Sequence, residues 1–448
     1  MDSRLKLLIA PPLFLCCADG QLAITTNIGG IVEMDATQIF SLGLGLTPPW
    51  IVTHQELDTN SSPFNLKLSL EIEKGSLIKC PCCGELCKPH DFVEKSWRHL
   101  NFFQHHCIIT ANVPRVGCQK CGVHLVDVPW ARQGSGFTLL FEQVVLSLAR
   151  EMPVAAIARE VDTTDKKLWR IIKYYVDNAV AKMDLSGVTA IGIDETARCR
   201  GHNYITIVID MNRDKRPVVF CTPNRNMDVV NSFANFLRKH NANPEDITEV
   251  TCDMSPAFIS GIKKYLSNSQ ITIDWFHIVK HLTDAVDKVR KIEARTIRMP
   301  KSSRWSVLKG SEQPKTEAQK KALQELAEMG TCTAVAYTVK EKARWIRQAD
   351  NSKDARWRIT KFFKMAESMM DRTELTYAPM FKALETFRNH VDRILRHWSS
   401  TLSNARLEGL NGLFQAARYR ARGYRNAETF MLMVYLIGSP ISELIKAA

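Results

Sequence analysis

The chain has 448 residues, 45% hydrophobic and 24% charged, the balance of a folded protein with room for two to four compact units. Beyond its first residues it has no run of roughly 18–20 apolar side chains, so no membrane-spanning segment and no membrane partner is expected. The formal charge of +13 is unevenly placed: residues 1–287 sum to −2, whereas 288–400 carry 25 Lys and Arg against 13 Asp and Glu. A basic segment of that density suits a polyanion, because each neutralised phosphate releases counterions.

Residues 1–33 combine Arg4 and Lys6 with the apolar run Leu7 to Leu15. This has the outline of a short signal peptide, but two adjacent prolines weaken it. The preferred reading is an upstream extension with Met34 as the start, and the segment is left out of the fold. Residues 34–79 alternate short apolar runs with turns. Leu66, Leu68, Leu70 and Ile72 alternate with polar neighbours as in a half-buried strand.

Next come Cys80-Pro-Cys-Cys83-Gly84 and Cys118-Gln-Lys-Cys121-Gly122. In a zinc ribbon each C-x-x-C lies on a tight turn, the following glycine permits positive φ, and four thiolates close a tetrahedral structural site. Cys80, Cys83, Cys118 and Cys121 are the expected ligands. Cys82, Cys87, Cys107, His105 and His106 are spare candidates. The 34 residues between the pairs leave space for a hairpin. Bound zinc, rather than disulfides among 13 cysteines, implies a reducing cytoplasm.

Residues 137–180 have helical periodicity. Val154, Ile157, Ala158 and Val161 share one face, Asp162-Thr163-Thr164 supply a turn and a cap, and Leu168, Ile171, Ile172, Tyr175, Val176 and Ala179 form a second face. Helix, short turn, helix is the helix-turn-helix arrangement. Lys166, Lys167, Arg170 and Lys173 lie where a recognition helix meets DNA.

From residue 188 strands take over. Val188 to Asp194 is a buried run ending in a carboxylate, followed by Tyr204–Ile209 and Arg216–Phe220 at hairpin distances. A helix over about 228–240, a strand from Ile247 to Asp253, a helix over about 255–266 and a strand from Ile271 to Asp274 complete the series. The order β-β-β-α-β-α-β is that of the RNase H-like fold, a mixed sheet flanked by helices. Asp194 and Asp253 then fall on neighbouring strands, as oxygen ligands for divalent metal. A third carboxylate is expected on a later helix. Asn404, Glu408, Asn411 and Gln415 share a polar face beside the apolar stripe Leu407, Leu410, Phe414 and Ala417, and Arg418, Arg420, Arg422 and Arg425 follow, suited to phosphates.

These motifs together with Pro48-Pro49-Trp50, Trp97-Arg98-His99-Leu100, Gly192-Ile-Asp-Glu195, Cys252-Asp-Met-Ser255, Asp274-Trp-Phe-His277 and Gly423-Tyr-Arg-Asn426 occur in one order. Over residues 34–440 the chain resembles the ISL-three family of bacterial insertion-sequence transposases. The resemblance implies a DDE enzyme with Asp194, Asp253 and Glu408 as its triad on Mg2+ (or Mn2+). Asp274 and His277 would support the site. It implies two-metal hydrolysis at the element ends and attack of the freed 3′-OH on target DNA. Double-stranded DNA, as terminal inverted repeats and target, is the expected partner, with a homodimer or larger assembly pairing two ends.

The 154 residues between Asp253 and Glu408 would include a helical insertion coinciding with the basic segment. The expected division is a β-rich lead and zinc ribbon over 34–130 and a helix-turn-helix over 136–182. An RNase H-like core follows over 187–287, then the insertion over 288–400 and the catalytic and C-terminal helices over 401–440. The fold class is therefore multidomain α/β. The alternatives are a DNA-binding protein with an inactive RNase H-like domain, and a metal-dependent nuclease without strand transfer.

Overall fold

A computed structural model describes residues 35–199, 203–215, 217–223, 227–400 and 405–440, with only the backbone described at Ala405, Arg406 and Glu408. The assignments to residues 1–34, Arg216 and Asn404 fall outside the described residues. The chain divides into two compact units, one ending at Leu140 and one beginning at Phe141. Among the described residues no helix is long and apolar enough to cross a membrane.

The first unit opens with helix α1 (Ala36–Gly43), which the alternation of short apolar runs did not suggest. Its start is a capping box in which Asp35 and Gln38 satisfy each other's backbone N–H groups. Strands β1 (Trp50–Asp58) and β2 (Asn65–Ile72) form an antiparallel pair. The short β3 (Ile78–Lys79) and β4 (Leu86–Cys87) pair around the first cysteine knuckle. The residues between the knuckles form the expected hairpin, β5 (Pro89–Phe102) with β6 (His105–Cys118), and β7 (Gly122–Leu125) returns along β6 after the second knuckle. The sheet order is β1-β2-β6-β5, with β2 and β6 parallel and β7 on β6. Leu66, Leu68 and Leu70 are all buried, so the period-two reading of β2 named its core face correctly.

The second unit contains most of helix α2 (Leu139–Glu151), then α3 (Val154–Glu160) and α4 (Asp165–Ala181). Leu168, Ile171, Ile172, Val176 and Ala179 of α4 are buried, as its periodicity required. Tyr175 donates from its hydroxyl to the buried carboxylate of Glu142 on α2 (2.8 Å). The turn between α3 and α4 carries Asp162 at φ 48°, a conformation Asp tolerates better than most residues. Thr164 occupies the N-cap of α4, but its side chain accepts no capping hydrogen bond, so the expected side-chain cap is not made.

Five strands follow: β8 (Ala190–Cys199), β9 (Asn203–Asp210), β10 (Val218–Thr222), β11 (Glu249–Cys252) and β12 (Gln270–Ile273). Helices α5 (Asp228–Lys239) and α6 (Pro256–Tyr265) lie between the last three, and α7 (Trp275–Glu293) leaves the sheet. The sheet order is β10-β9-β8-β11-β12, antiparallel across β10, β9 and β8 and parallel across β8, β11 and β12. Five consecutive buried residues of β10 and three of β11 explain why these strands read as continuous apolar runs.

Seven helices come next: α8 (Ser303–Leu308), α9 (Glu317–Glu328), α10 (Cys332–Lys342), α11 (Arg344–Arg347), α12 (Ser352–Met369), α13 (Ala378–Asn389) and α14 (Val391–Leu395). They pack on one another and on α7, with Trp275 edge-on to Phe387 at 5.9 Å. Buried Glu293 accepts from the backbone N–H groups of Cys332 and Thr333, closing the start of α10 with an acidic group where the helix dipole favours one. The chain then returns to the sheet through α15 (Ala405–Arg420) and α16 (Ala427–Gly438).

Candidate active site

The carboxylates are brought together by strand register. Val250 pairs with Ile191 and Thr251 with Gly192, so two further residues along these parallel strands set Asp253 beside Asp194. On the other side Cys252 pairs with Ile273, which sets Asp274 beside Asp253. Neighbouring strands lie about 4.8 Å apart, so the three acids form a short row across the sheet. One boundary differs from the sequence reading. Strand β8 does not end at Asp194 but continues to Cys199, because β9 pairs with it throughout. Asp194 sits where the parallel neighbour β11 stops and that side of β8 becomes open.

Asp194 accepts from the backbone N–H of Glu195 (2.8 Å) and from Asn411 Nδ2 (2.7 Å). Asp253 accepts from the N–H of Ser255 (2.9 Å) as the chain turns into α6. Burial raises the pKa of Asp194 above the usual carboxylate range. The Glu195 hydrogen bond, His277 and Asn411 pull it back down, while the charge of Asp253 pushes it further up. Two carboxylates set side by side at adjacent strand ends are a ready site for a divalent cation with oxygen preference. Asp274 is the N-cap of α7, and His277 lies in the first turn of that helix, near enough to act on Asp194.

Helix α15 reaches this row by close approach to β8. Leu407 and Phe414 are buried, and a Cβ built on Gly192 would lie 2.8 Å from Leu407 Cδ1 and 3.0 Å from Met211 Sδ. The polar face of α15 runs along β8: Asn411 reaches Asp194, and Gln415 Nε2 donates to Thr196 Oγ1 (2.7 Å) and to the Ala197 carbonyl (3.1 Å). Glu408 lies three residues before Asn411 on this helix, and its side chain is outside the described residues. Gly192→Val is expected to lower unfolding free energy by about 1–3 kcal/mol through overpacking. Urea denaturation checks this, and Leu407→Ala in the same chain should recover part of the loss.

Sequence reading missed the far side of the row. A cavity of about 520 Å³ beside Asp274 is lined by Phe276, Arg344, Arg347, Gln348 and His397. Only the density of arginine near 344–347 could have drawn attention to it.

Of the predicted phosphate-binding groups, Lys166, Lys167 and Arg170 are exposed on α4. Lys173 is exposed as well but bridges Asp177 (3.1 Å) and Glu428 of α16 (2.5 Å). Arg418 donates to the Ala197 carbonyl (3.1 Å), and Arg420 donates to the Glu151 carbonyl. Arg422 and Arg425 are exposed at the turn before α16.

In the first unit Cys80, Cys83, Cys118 and Cys121 place their sulfurs within 4.8 Å of one another, with Cys83 and Cys118 3.6 Å apart. A tetrahedral centre with Zn–S bonds near 2.3 Å requires sulfurs about 3.8 Å apart, so the four fit zinc. Gly84 and Gly122 have φ of 78° and 87°, as the knuckle turns demand. At the first cysteine of each knuckle, backbone N–H groups favour the thiolate form. The Cys118 pKa falls to about 6, first through the backbone N–H of Lys120 and then that of Cys121, and Cys80 is lowered first by the N–H of Cys83. Of the spare candidates, Cys82 is exposed and Cys107 is buried in β6.

Comparison with known proteins finds three family matches in chain order. Residues 76–121 match the zinc-finger of transposase IS204/IS1001/IS1096/IS1165, and residues 126–176 match the helix-turn-helix domain of transposase family ISL3. Residues 191–434, more than half of the chain, match the transposase domain of that family. The transposase for insertion sequence element IS1001 of Bordetella parapertussis is 25% identical over 377 residues, covering 80% of this chain and 88% of that protein. The transposase for insertion sequence element IS1557 of Mycobacterium tuberculosis is 24% identical over 263 residues, covering 58% of each chain.

Proposed function

The chain belongs to transposase family ISL3, and on that premise we propose that it cuts DNA at the ends of an insertion sequence and joins the freed 3′-OH to target DNA. The observation that carries the reading is the register that sets Asp194 beside Asp253 on adjacent parallel strands. We read the β10-β9-β8-β11-β12 sheet as RNase H-like, and residues 288–400 as an insertion between its last strand and the helix bearing Glu408. The division into 34–130, 136–182, 187–287, 288–400 and 401–440 is part of the same proposal.

Asp194 and Asp253, with Glu408 as the third carboxylate, would hold Mg2+ or Mn2+. When bound, that metal pair acidifies the attacking hydroxyl and neutralises the leaving 3′ oxygen. The protein's own contribution is to fix the ligands. Asn411 and the Glu195 N–H hold the Asp194 carboxylate, the Ser255 N–H holds Asp253, and His277 stands in the first turn of α7, next to this pair. Asp274 and His277 act as supporting residues, and the chemistry needs no covalent protein intermediate. Lys166, Lys167 and Arg170 on α4 would approach terminal-repeat DNA, with Lys173 tied to α16, and Arg422 and Arg425 would meet backbone phosphates. Pairing two element ends calls for a homodimer or larger assembly, acting in the bacterial cytoplasm.

A joining assay with element-end duplex, target DNA and Mg2+ tests the reading. Joined product is expected from wild type and not from Glu408→Gln. Hydrolysed ends that never join would make the enzyme a nuclease, and binding without any cleavage would make it a DNA-binding protein. Asn411→Ala should lower the cleavage rate about 10- to 100-fold, the scale for losing a partner of a metal ligand. That loss should shrink at raised Mn2+ concentration, which a purely structural defect would not do.

A further inference from the structure

Helix α12 exposes Lys353, Arg356, Trp357, Thr360, Lys361 and Lys364, which recur every three or four residues and so share one face. Its other face is ordinary: Ala355, Ile359, Phe362, Phe363 and Ala366 are buried. A tryptophan 53% exposed in the middle of a row of cations is not explained by packing. It is also not alone. Trp345 of α11, 37% exposed, meets it edge-on with ring centroids 5.5 Å apart. The guanidinium of Arg358 lies 5.2 Å from the Trp345 ring, and the Lys361 ammonium 5.8 Å from the Trp357 ring. Arg358 also donates to the Trp345 carbonyl (2.9 Å) and to Asp354 (3.2 Å), which ties α11 to α12 and holds the two rings together.

We infer that this face binds unpaired DNA, with bases stacking on Trp345 and Trp357 and phosphates neutralised by Lys353, Lys361 and Lys364. Charge complementarity selects a polyanion. The exposed rings select unstacked bases, because the bases of an intact duplex have no free face to offer a convex helix surface. Arg356, now paired with exposed Asp392 (2.7 Å), can exchange that partner for a phosphate. The position suits the use. Arg344, Arg347 and Gln348, on either side of Trp345 in sequence, line the cavity beside Asp274, so a strand leaving the acid row is led onto α11 and then α12.

The inference rests on the proposed DNA chemistry, and its test is arranged so that the two fail separately. Binding of the full chain is measured by fluorescence anisotropy without added magnesium or manganese. The probes are a labelled oligothymidylate of about 16 nucleotides and the element-end duplex, at several salt concentrations. The Trp345→Ala/Trp357→Ala pair should weaken single-strand binding at least about tenfold and leave duplex binding within about twofold. Its salt dependence should not change. Lys361→Gln/Lys364→Gln should reduce the salt slope by about one to two, and Trp357→Phe should keep most of the affinity. Unaltered single-strand binding by the tryptophan pair, or equal loss on both probes, overturns the inference. A wild-type chain that joins ends but does not bind the oligothymidylate also overturns it, and leaves the proposed function standing.

Discussion

Asp194→Asn and Asp253→Asn are each expected to reduce both end cleavage and joining by at least about 10³-fold, a loss of roughly 4 kcal/mol of transition-state stabilisation. Element-end binding should stay within about twofold, because neither carboxylate lies among the exposed basic groups of α4. The physical reason is charge. Each substitution keeps the side chain's size but removes an anion that a divalent cation needs, and the remaining carboxylates cannot hold the metal in catalytic geometry without it. Folding should not suffer. Asp194 is held above its usual pKa first by burial and further by the charge of Asp253, so removing either anion relieves repulsion in the metal-free protein. The thermal midpoint of each variant without metal should equal or exceed that of wild type. Strand transfer by either variant at more than a few per cent of the wild-type rate would remove that residue from the proposed metal site.

Zinc removal should have the other large effect, and it should be local. Metal analysis of the wild-type chain should find one tightly held zinc, and Cys118→Ser should lose it. Without zinc the short strands around the first knuckle, β3 and β4, have two paired residues each and little to hold them. Structural zinc supplies roughly 10–16 kcal/mol of apparent folding energy in small domains, far more than so short a hairpin can offer. Limited proteolysis of the serine variant should therefore cut near residues 76–88 and 118–125, while the unfolding transition of the second unit is unchanged. Cys82→Ser should keep its zinc, since the four clustered ligands are complete without Cys82. Zinc loss on changing Cys82, with retention on changing Cys118, would redraw the ligand set.

What sequence alone determined was local. A C-x-x-C followed by glycine is a turn with its chemistry attached, and both glycines do take positive φ. The helical period of Leu168, Ile171, Ile172, Val176 and Ala179 and the alternation of Leu66, Leu68 and Leu70 each name a buried face, because side-chain direction along one element follows from backbone geometry. The polar face of α15 was legible for the same reason, and its Asn411 and Gln415 do turn toward β8.

Tertiary structure decided everything that needs two distant segments at once. The end of β8 could not be read, because its extension to Cys199 depends on pairing with β9 rather than on its own residues. Whether Asp194, Asp253 and Asp274 stand level is a matter of register between strands that the chain leaves and rejoins, and a slip of one residue would send each carboxylate to the other face. The approach of Leu407 to Gly192 joins residues more than two hundred positions apart. In the basic segment the sequence marked charge, but only the fold put Trp345 against Trp357 and set Arg344 and Arg347 beside Asp274. Composition records how many such groups a segment holds. Their arrangement into a surface depends on how the helices pack.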